Sequence, residues 1–228
     1  MSLLERFGAV HAVGFDLDGT LLDTLPDLAA AGNATLASLG LPAVAVAVVR
    51  SYIGDGVAVL VRRLLAGSRE GDADPALWRE GVQRFERFYE EGVDRLTRPY
   101  PGVAEVLCRL RGRGLRLAVV TNKPGRFTHR LLGAHGLDAL VDLVVAGDTL
   151  PRRKPDPMPL VHACQVLGVA PATMLYVGDS ANDVASARAA GCPVVCVSYG
   201  YGADLDVREL GADAIVDDIL SLCPAAPS

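Results

Sequence analysis

The sequence predicts an α/β chain: a doubly wound parallel sheet, Rossmann-like, with an α-helical unit inserted after the first strand. Three observations carry this expectation. Short Val-rich apolar runs at 9–15, 115–121, 174–178 and 194–197 have the length of buried strands and are too brief for typical helices. From residue 102 onward such runs alternate with helical patterns, the signature of a sheet covered by helices on both faces. Residues 25–98 break that alternation, carrying helical periodicity with charged faces and no evident strand.

In chain order, the first strand spans 9–15 and stops where Asp16 and Asp18 appear, with Gly19 turning the chain away. Helices are expected at 25–39, closed by Gly40, then at 45–52, 56–66 and 75–91, with a polar loop at 68–75. Pro26 on one side and Pro99 and Pro101 on the other restrict two crossing strands and mark the borders of the helical unit. The expected division is therefore a core of residues 1–24 and 99–228, with residues 25–98 as a lid or cap. The core continues with helix 103–113, strand 115–121, helix 125–135, strand 143–146, helix 157–167 and strand 174–178. Helix 181–190, strands 194–197 and 214–216 and a short helix at 217–222 complete it, before a Pro/Ala tail at 224–228 expected to fray.

Half of the 228 residues are apolar, enough for a sizeable core. A net charge of −5 and a pI near 5.4 give no basic footprint for nucleic acid, so small molecules are the expected partners. The cysteines (Cys108, Cys164, Cys192, Cys196, Cys223) are odd in number and lack a CxxC pair, which reads as small core hydrophobes in a reducing cytosol. Glu5, Arg6 and His11 interrupt the N-terminal apolar segment, so no secretory signal is expected, and the run 43–49 is too short for a membrane span. The expectation is a soluble cytoplasmic protein. Nothing in the pattern assigns an oligomeric state.

Ligands of open α/β sheets bind beyond the carboxyl ends of the strands, and the chemistry-bearing clusters lie there. Asp16 and Asp18, two apart, project to one side of the first strand end. Thr121 and Asn122 open a strand-to-helix turn whose hydroxyl and N–H groups suit phosphate oxygens. Lys154 sits in a proline-rigid turn and supplies a compact counter-charge. Asp179 ends a strand and Asp183 follows one helical turn later. Four carboxylates against Lys154 leave three excess negative charges, a barrier to any phosphate dianion. A hard divalent cation, Mg²⁺ by its preference for oxygen ligands, leaves one, and a protonated Asp18 removes it. Zinc is not expected, because the chain has no His/Cys cluster at ligand spacing.

Asp16-Leu17-Asp18-Gly19-Thr20, Thr121, Lys154 and the stretch from Gly178 to Asp183 resemble, in order, the four motifs of the haloacid dehalogenase-like phosphatases, with a helical cap between the first two. The resemblance implies that Asp16 attacks phosphorus to form an aspartyl-phosphate, while Asp18 protonates the leaving alcohol and then activates water. It implies further that Asp16, the Asp18 backbone carbonyl and Asp179 bind Mg²⁺, that Thr121 and Asn122 hold phosphate, that Lys154 stabilises charge, and that Asp183 supports the metal or Lys154. Within the family the chain is most similar to phosphoglycolate phosphatases, on residues 15–23, 52–56, 99–102 and 121–123. In that comparison the backbone of Gly54-Asp55-Gly56 receives an anionic end of the substrate, with Arg62 and Arg63 as further candidates, one of them facing solvent. The implied activity is Mg²⁺-dependent hydrolysis of 2-phosphoglycolate. Alternatives are a phosphatase for another small sugar phosphate or pyrophosphate, or a phosphosugar mutase. A phospho-aspartate receiver is disfavoured, since Asp18 can drive hydrolysis.

Overall fold

The computed structural model describes residues 3–202 and 209–223; the tail at 224–228 lies outside the described residues. Its strands are β1 (Ala12–Phe15), β2 (Leu22–Asp23), β3 (Arg98–Pro99), β4 (Arg116–Val120), β5 (Leu143–Val145), β6 (Met174–Gly178), β7 (Val194–Val197) and β8 (Ala214–Val216). Its α-helices are α1 (Leu25–Ser38), α2 (Val46–Tyr52), α3 (Val57–Ala66), α4 (Pro75–Gly92), α5 (Val103–Gly112), α6 (Gly125–Ala134), α7 (Met158–Leu167) and α8 (Ala181–Ala190).

Six strands form one parallel sheet in the order β5-β4-β1-β6-β7-β8. β1 is central because it is apolar on both faces: all four of its residues are buried, with one apolar cluster on each side of the sheet. Gly14 leaves room for the Tyr176 ring, whose carbon would lie 2.9 Å from any Cβ there. The chain winds outward from β1 to β4 and β5, then crosses back to β6, so strand order reverses beside β1. Phe15 pairs with Val119 on one side and Val177 on the other, which sets Asp16, Thr121 and Asp179 at one level on the carboxyl edge.

Two local signals explain helix starts nearest the site. Ser180 caps α8 in a reciprocal box with Asp183, and Asp74 caps α4 ahead of Pro75. The four helices α1 to α4 pack on one another between β2 and β3, which pair antiparallel so that the chain leaves and re-enters the core at one place. Buried Asp27 ties that junction together, accepting hydrogen bonds from the backbone N–H groups of Leu96 and Thr97 and from the Thr97 hydroxyl.

The expected boundaries differ from the structure in two instructive places. The first strand starts at Ala12 and not at residue 9, because Gly8 has φ +72° and Val10 folds back onto its carbonyl. The terminal helix is a single 3₁₀ turn, Ile219–Leu222, capped by Asp218. Four cysteines are buried and Cys108 is exposed. No helix among the described residues is long and apolar enough to cross a membrane.

Candidate active site

Two strand ends, those of β1 and β6, supply the acids, and one proline-flanked turn supplies a lysine to meet them. Asp16, Asp179 and Asp183 each offer a carboxylate oxygen within 4.8 Å of the others. Lys154 is buried among them, its Nζ donating to Asp183 Oδ1 (2.7 Å) and to the Tyr176 hydroxyl (2.8 Å). It also lies 2.9 Å from Asp16 Oδ1, off the line of a hydrogen bond, so that contact is electrostatic and leaves the oxygen an orphaned buried acceptor.

The carboxylates are not equivalent. Asp183 accepts from Lys154 on Oδ1 and, on Oδ2, from the Asp179 N–H, the Ser180 N–H and the Ser180 hydroxyl. Its lone pairs are spent. Among the described residues, the Asp179 carboxylate accepts from Thr20 Oγ1 (2.9 Å) and the Tyr201 N–H (2.6 Å) alone, and Asp16 keeps its orphaned oxygen, so these two have capacity for a cation. Burial pushes the Asp16 carboxyl up to about 6 against the pull of Lys154, and burial with Asp183 and Asp16 alongside holds Asp179 well above the usual carboxylate range. Burial alone would lower Lys154, but Asp16 and Asp183 outweigh it and raise the ammonium above its ordinary value. Acids raised by burial and by one another, in an all-oxygen set without His or Cys, fit a hard divalent cation.

Gly19, at φ +86°, closes the turn after Asp18; a Cβ there would stand 2.5 Å from Asp179 Oδ2. Asp18 is not one of the three converging carboxylates. Its carboxylate accepts from Lys123 Nζ on both oxygens (2.9 and 3.1 Å) and from Thr24 Oγ1 on Oδ1 (2.6 Å).

A cavity of about 330 Å³ joins these groups to the helical unit. Asp16, Asp18, Thr121, Lys123 and Asp179 line the core side, and Leu28, Ile53, Val57 and Leu60 make the facing wall apolar. The turn 54–56 crosses between the two. Asn122 spends its amide N–H groups on the carbonyls of Gly54 and Lys154 (2.9 Å each), and Asn182 donates to Asp55 Oδ1 (2.7 Å). Asp55 Oδ2 meets Arg63 at 2.6 Å, and the same guanidinium donates to the carbonyls of Tyr52 and Arg69. Arg63 therefore braces the turn and lies outside the cavity wall, unlike the substrate contact expected of it. Arg62 pairs with exposed Asp72, and Arg69 lines the cavity.

Two groups at the site escaped the sequence reading. Lys123 enters the sequence analysis only as the last residue of the stretch 121–123, with no role of its own, yet it is 4% exposed, its ammonium 4.8 Å from the centre of the Tyr89 ring. Its presence corrects the charge count: with two lysines and a divalent cation the four acids are balanced while all are ionised, so neutrality does not demand a protonated Asp18. Tyr201, between Gly200 and Gly202 beyond β7, holds Asp179 through its N–H. Its hydroxyl donates to Asp23 (2.7 Å) and accepts from the N–H groups of Thr24 and Leu25. The Gly-X-Gly pattern just past a strand end was the available signal.

The family model described as haloacid dehalogenase-like hydrolase matches residues 13–197. A protein of Thiobacillus denitrificans named phosphoglycolate phosphatase is 48% identical over 210 residues, covering 92% of each chain. One of the same name from Nitrosospira multiformis is 51% identical over 210 residues, again covering 92% of each. The crystal structure of a predicted phosphoglycolate phosphatase from Haemophilus somnus superposes with a TM-score of 0.87 at 37% identity, covering 92% of this chain and 94% of that one. With its acids on the carboxyl edge of a doubly wound sheet and these relatives spanning nearly its whole length, the chain belongs to the haloacid dehalogenase-like hydrolases.

Proposed function

We propose that this phosphoric monoester hydrolase removes phosphate from 2-phosphoglycolate through an aspartyl-phosphate on Asp16. The observation that carries the chemistry is the segregation of two Asp–Lys pairs, Asp16 with Lys154 and Asp18 with Lys123, on the core side of one cavity. Separate environments give two neighbouring acids separate roles. In this reading Asp16 attacks phosphorus, Asp18 protonates the departing glycolate oxygen as the P–O bond breaks, and Asp18 then takes a proton from the water that hydrolyses the acyl phosphate. Thr121 Oγ1 and the N–H groups of the turn that follows hold phosphoryl oxygens; Asn122, its side chain committed to the carbonyls of Gly54 and Lys154, contributes through its backbone. Lys154 holds Asp16 in place and offsets phosphoryl charge. Mg²⁺ held by Asp16, the Asp18 carbonyl and Asp179 would neutralise phosphate charge, with Asp183 orienting Lys154 and the turn at Asp179.

Residues 25–98 serve as the cap over a core of residues 1–24 and 99–228, presenting the N–H groups of 54–56 to the substrate carboxylate while the apolar wall excludes water. The substrate follows from the names of the relatives, which span the cap as well as the core. Four buried, unbridged cysteines support a cytoplasmic setting. The test is a panel of phosphomonoesters assayed with Mg²⁺ and with chelator, together with Asp16→Asn. We expect 2-phosphoglycolate to be turned over fastest, chelator to abolish turnover, and the variant to lose at least roughly 10³-fold in kcat and to trap no phosphoenzyme. Unchanged kcat in Asp16→Asn would refute the covalent route.

A further inference from the structure

We infer that Lys123 is a positioning residue for the acid–base step: clamped by the Tyr89 ring of α4, its ammonium fixes the Asp18 carboxylate so that Oδ2 is the oxygen that exchanges the proton with the leaving group. The inference rests on the phosphoenzyme reading above and adds to it a residue, an oxygen and a link to the helical unit.

The geometry begins with burial. The Lys123 side chain is 2% exposed and Asp18 is 15% exposed, so the pair is shielded from solvent on the lysine side and open to the cavity on the other. The ammonium takes both carboxylate oxygens, while the Thr24 hydroxyl takes Oδ1 alone. Two donors on Oδ1 and one on Oδ2 leave Oδ2 with the spare lone pair. A carboxyl pinned from two sides cannot rotate that oxygen away, which is the pre-organisation proton transfer requires. The proton passes from Asp18 to the leaving oxygen as phosphorus transfers to Asp16, and the carboxylate so formed finds a full ammonium in place. Lys123 itself keeps its proton throughout.

A structural role alone explains these contacts poorly. A buried ion pair contributes little net stability compared with apolar side chains of the same size, so a methionine packed on Tyr89 would serve the fold about as well. Tyr89 makes the placement specific. It is fully buried on the helical unit, packed edge-on against Phe127 of α6 at 4.8 Å, and its ring sets how far the lysine side chain extends.

The experiment compares leaving groups. Phosphoenzyme formation is followed in single turnover for the alkyl phosphate that the wild type uses fastest and for p-nitrophenyl phosphate, whose phenolate departs without a proton. Lys123→Met is expected to slow the alkyl substrate by roughly 10²-fold and the aryl substrate at least tenfold less, and Lys123→Arg to recover part of the difference. Thr24→Val, which removes the other donor, is expected to shift the same ratio by a smaller factor, and it decides the matter should Lys123→Met fail to fold. Equal losses on both substrates, or no loss on either, overturn the positioning role. A wild type inactive on every phosphomonoester would instead overturn the underlying function.

Discussion

Asp183 shows how much one side chain at the site has to satisfy. It is fully buried, and its oxygens accept from Lys154, the Asp179 N–H, and the N–H and hydroxyl of Ser180. Asp183→Ala leaves the Lys154 ammonium with Asp16 and the Tyr176 hydroxyl and strands two backbone donors. The expected cost is about 3–5 kcal/mol in urea denaturation, with Mg²⁺ affinity by titration calorimetry lower by roughly 10- to 100-fold. An unchanged midpoint would mean that water replaces the carboxylate. At this scale the sequence was legible wherever function coincides with a strand end: Asp16, Thr121 and Asp179 lie one or two positions past buried Val-rich runs, and Asp183 follows by one helical turn. Lys123 was not legible, because the ring that buries it comes from Tyr89 on a helix of the inserted unit, a contact that no local pattern encodes. Asp55 was legible as part of a turn but not in its direction, since only the fold brings Arg63 and Asn182 to its two oxygens.

Elements meet across the cavity through a small number of polar contacts, and the turn 54–56 carries several of them. α3 supplies Arg63 to one side of Asp55, and the start of α8 supplies Asn182 to the other. The carboxylate thus joins the helical unit to the core while its charge is offset, as the proposed contact of this turn with an anionic substrate requires. Asp55→Ala and Asn182→Ala should each raise KM for 2-phosphoglycolate by roughly 3- to 10-fold with kcat less affected, and the pair should be non-additive by about 0.5–1.5 kcal/mol. Strict additivity in that double-mutant cycle would show that the hydrogen bond does not contribute to substrate binding. Helices were legible as elements because period and punctuation agree: Gly40 follows α1, Asp74 and Pro75 open α4, and Ser180 caps α8. The strand expected from residue 9 failed because apolar Val10 looks like strand, while the positive φ of Gly8 places it in a turn.

For the whole molecule, the parallel sheet was readable from alternation alone, but the balance of charge in the centre was not, because it depends on which lysines the fold buries. That balance has a thermodynamic consequence. Without a cation, burial pushes the Asp16 carboxyl up to about 6, above its ordinary range, and Asp179 is displaced in the same direction. A carboxyl raised in the folded state binds its proton more tightly there than in the unfolded chain. Its stabilising contribution is therefore complete below about pH 4 and is lost as pH rises through about 6, on the order of 3 kcal/mol for Asp16 alone. A divalent cation reverses the preference by favouring the ionised acids, so its stabilisation should grow over the same interval. Thermal melts with chelator and with about 10 mM Mg²⁺ should differ by at least several degrees near pH 7.5 and by much less near pH 5. Asp179→Asn should remove most of the Mg²⁺-dependent gain at the higher pH. Equal Mg²⁺ shifts at both pH values would place the cation away from these acids, and with it the negative charge that two buried lysines leave uncompensated.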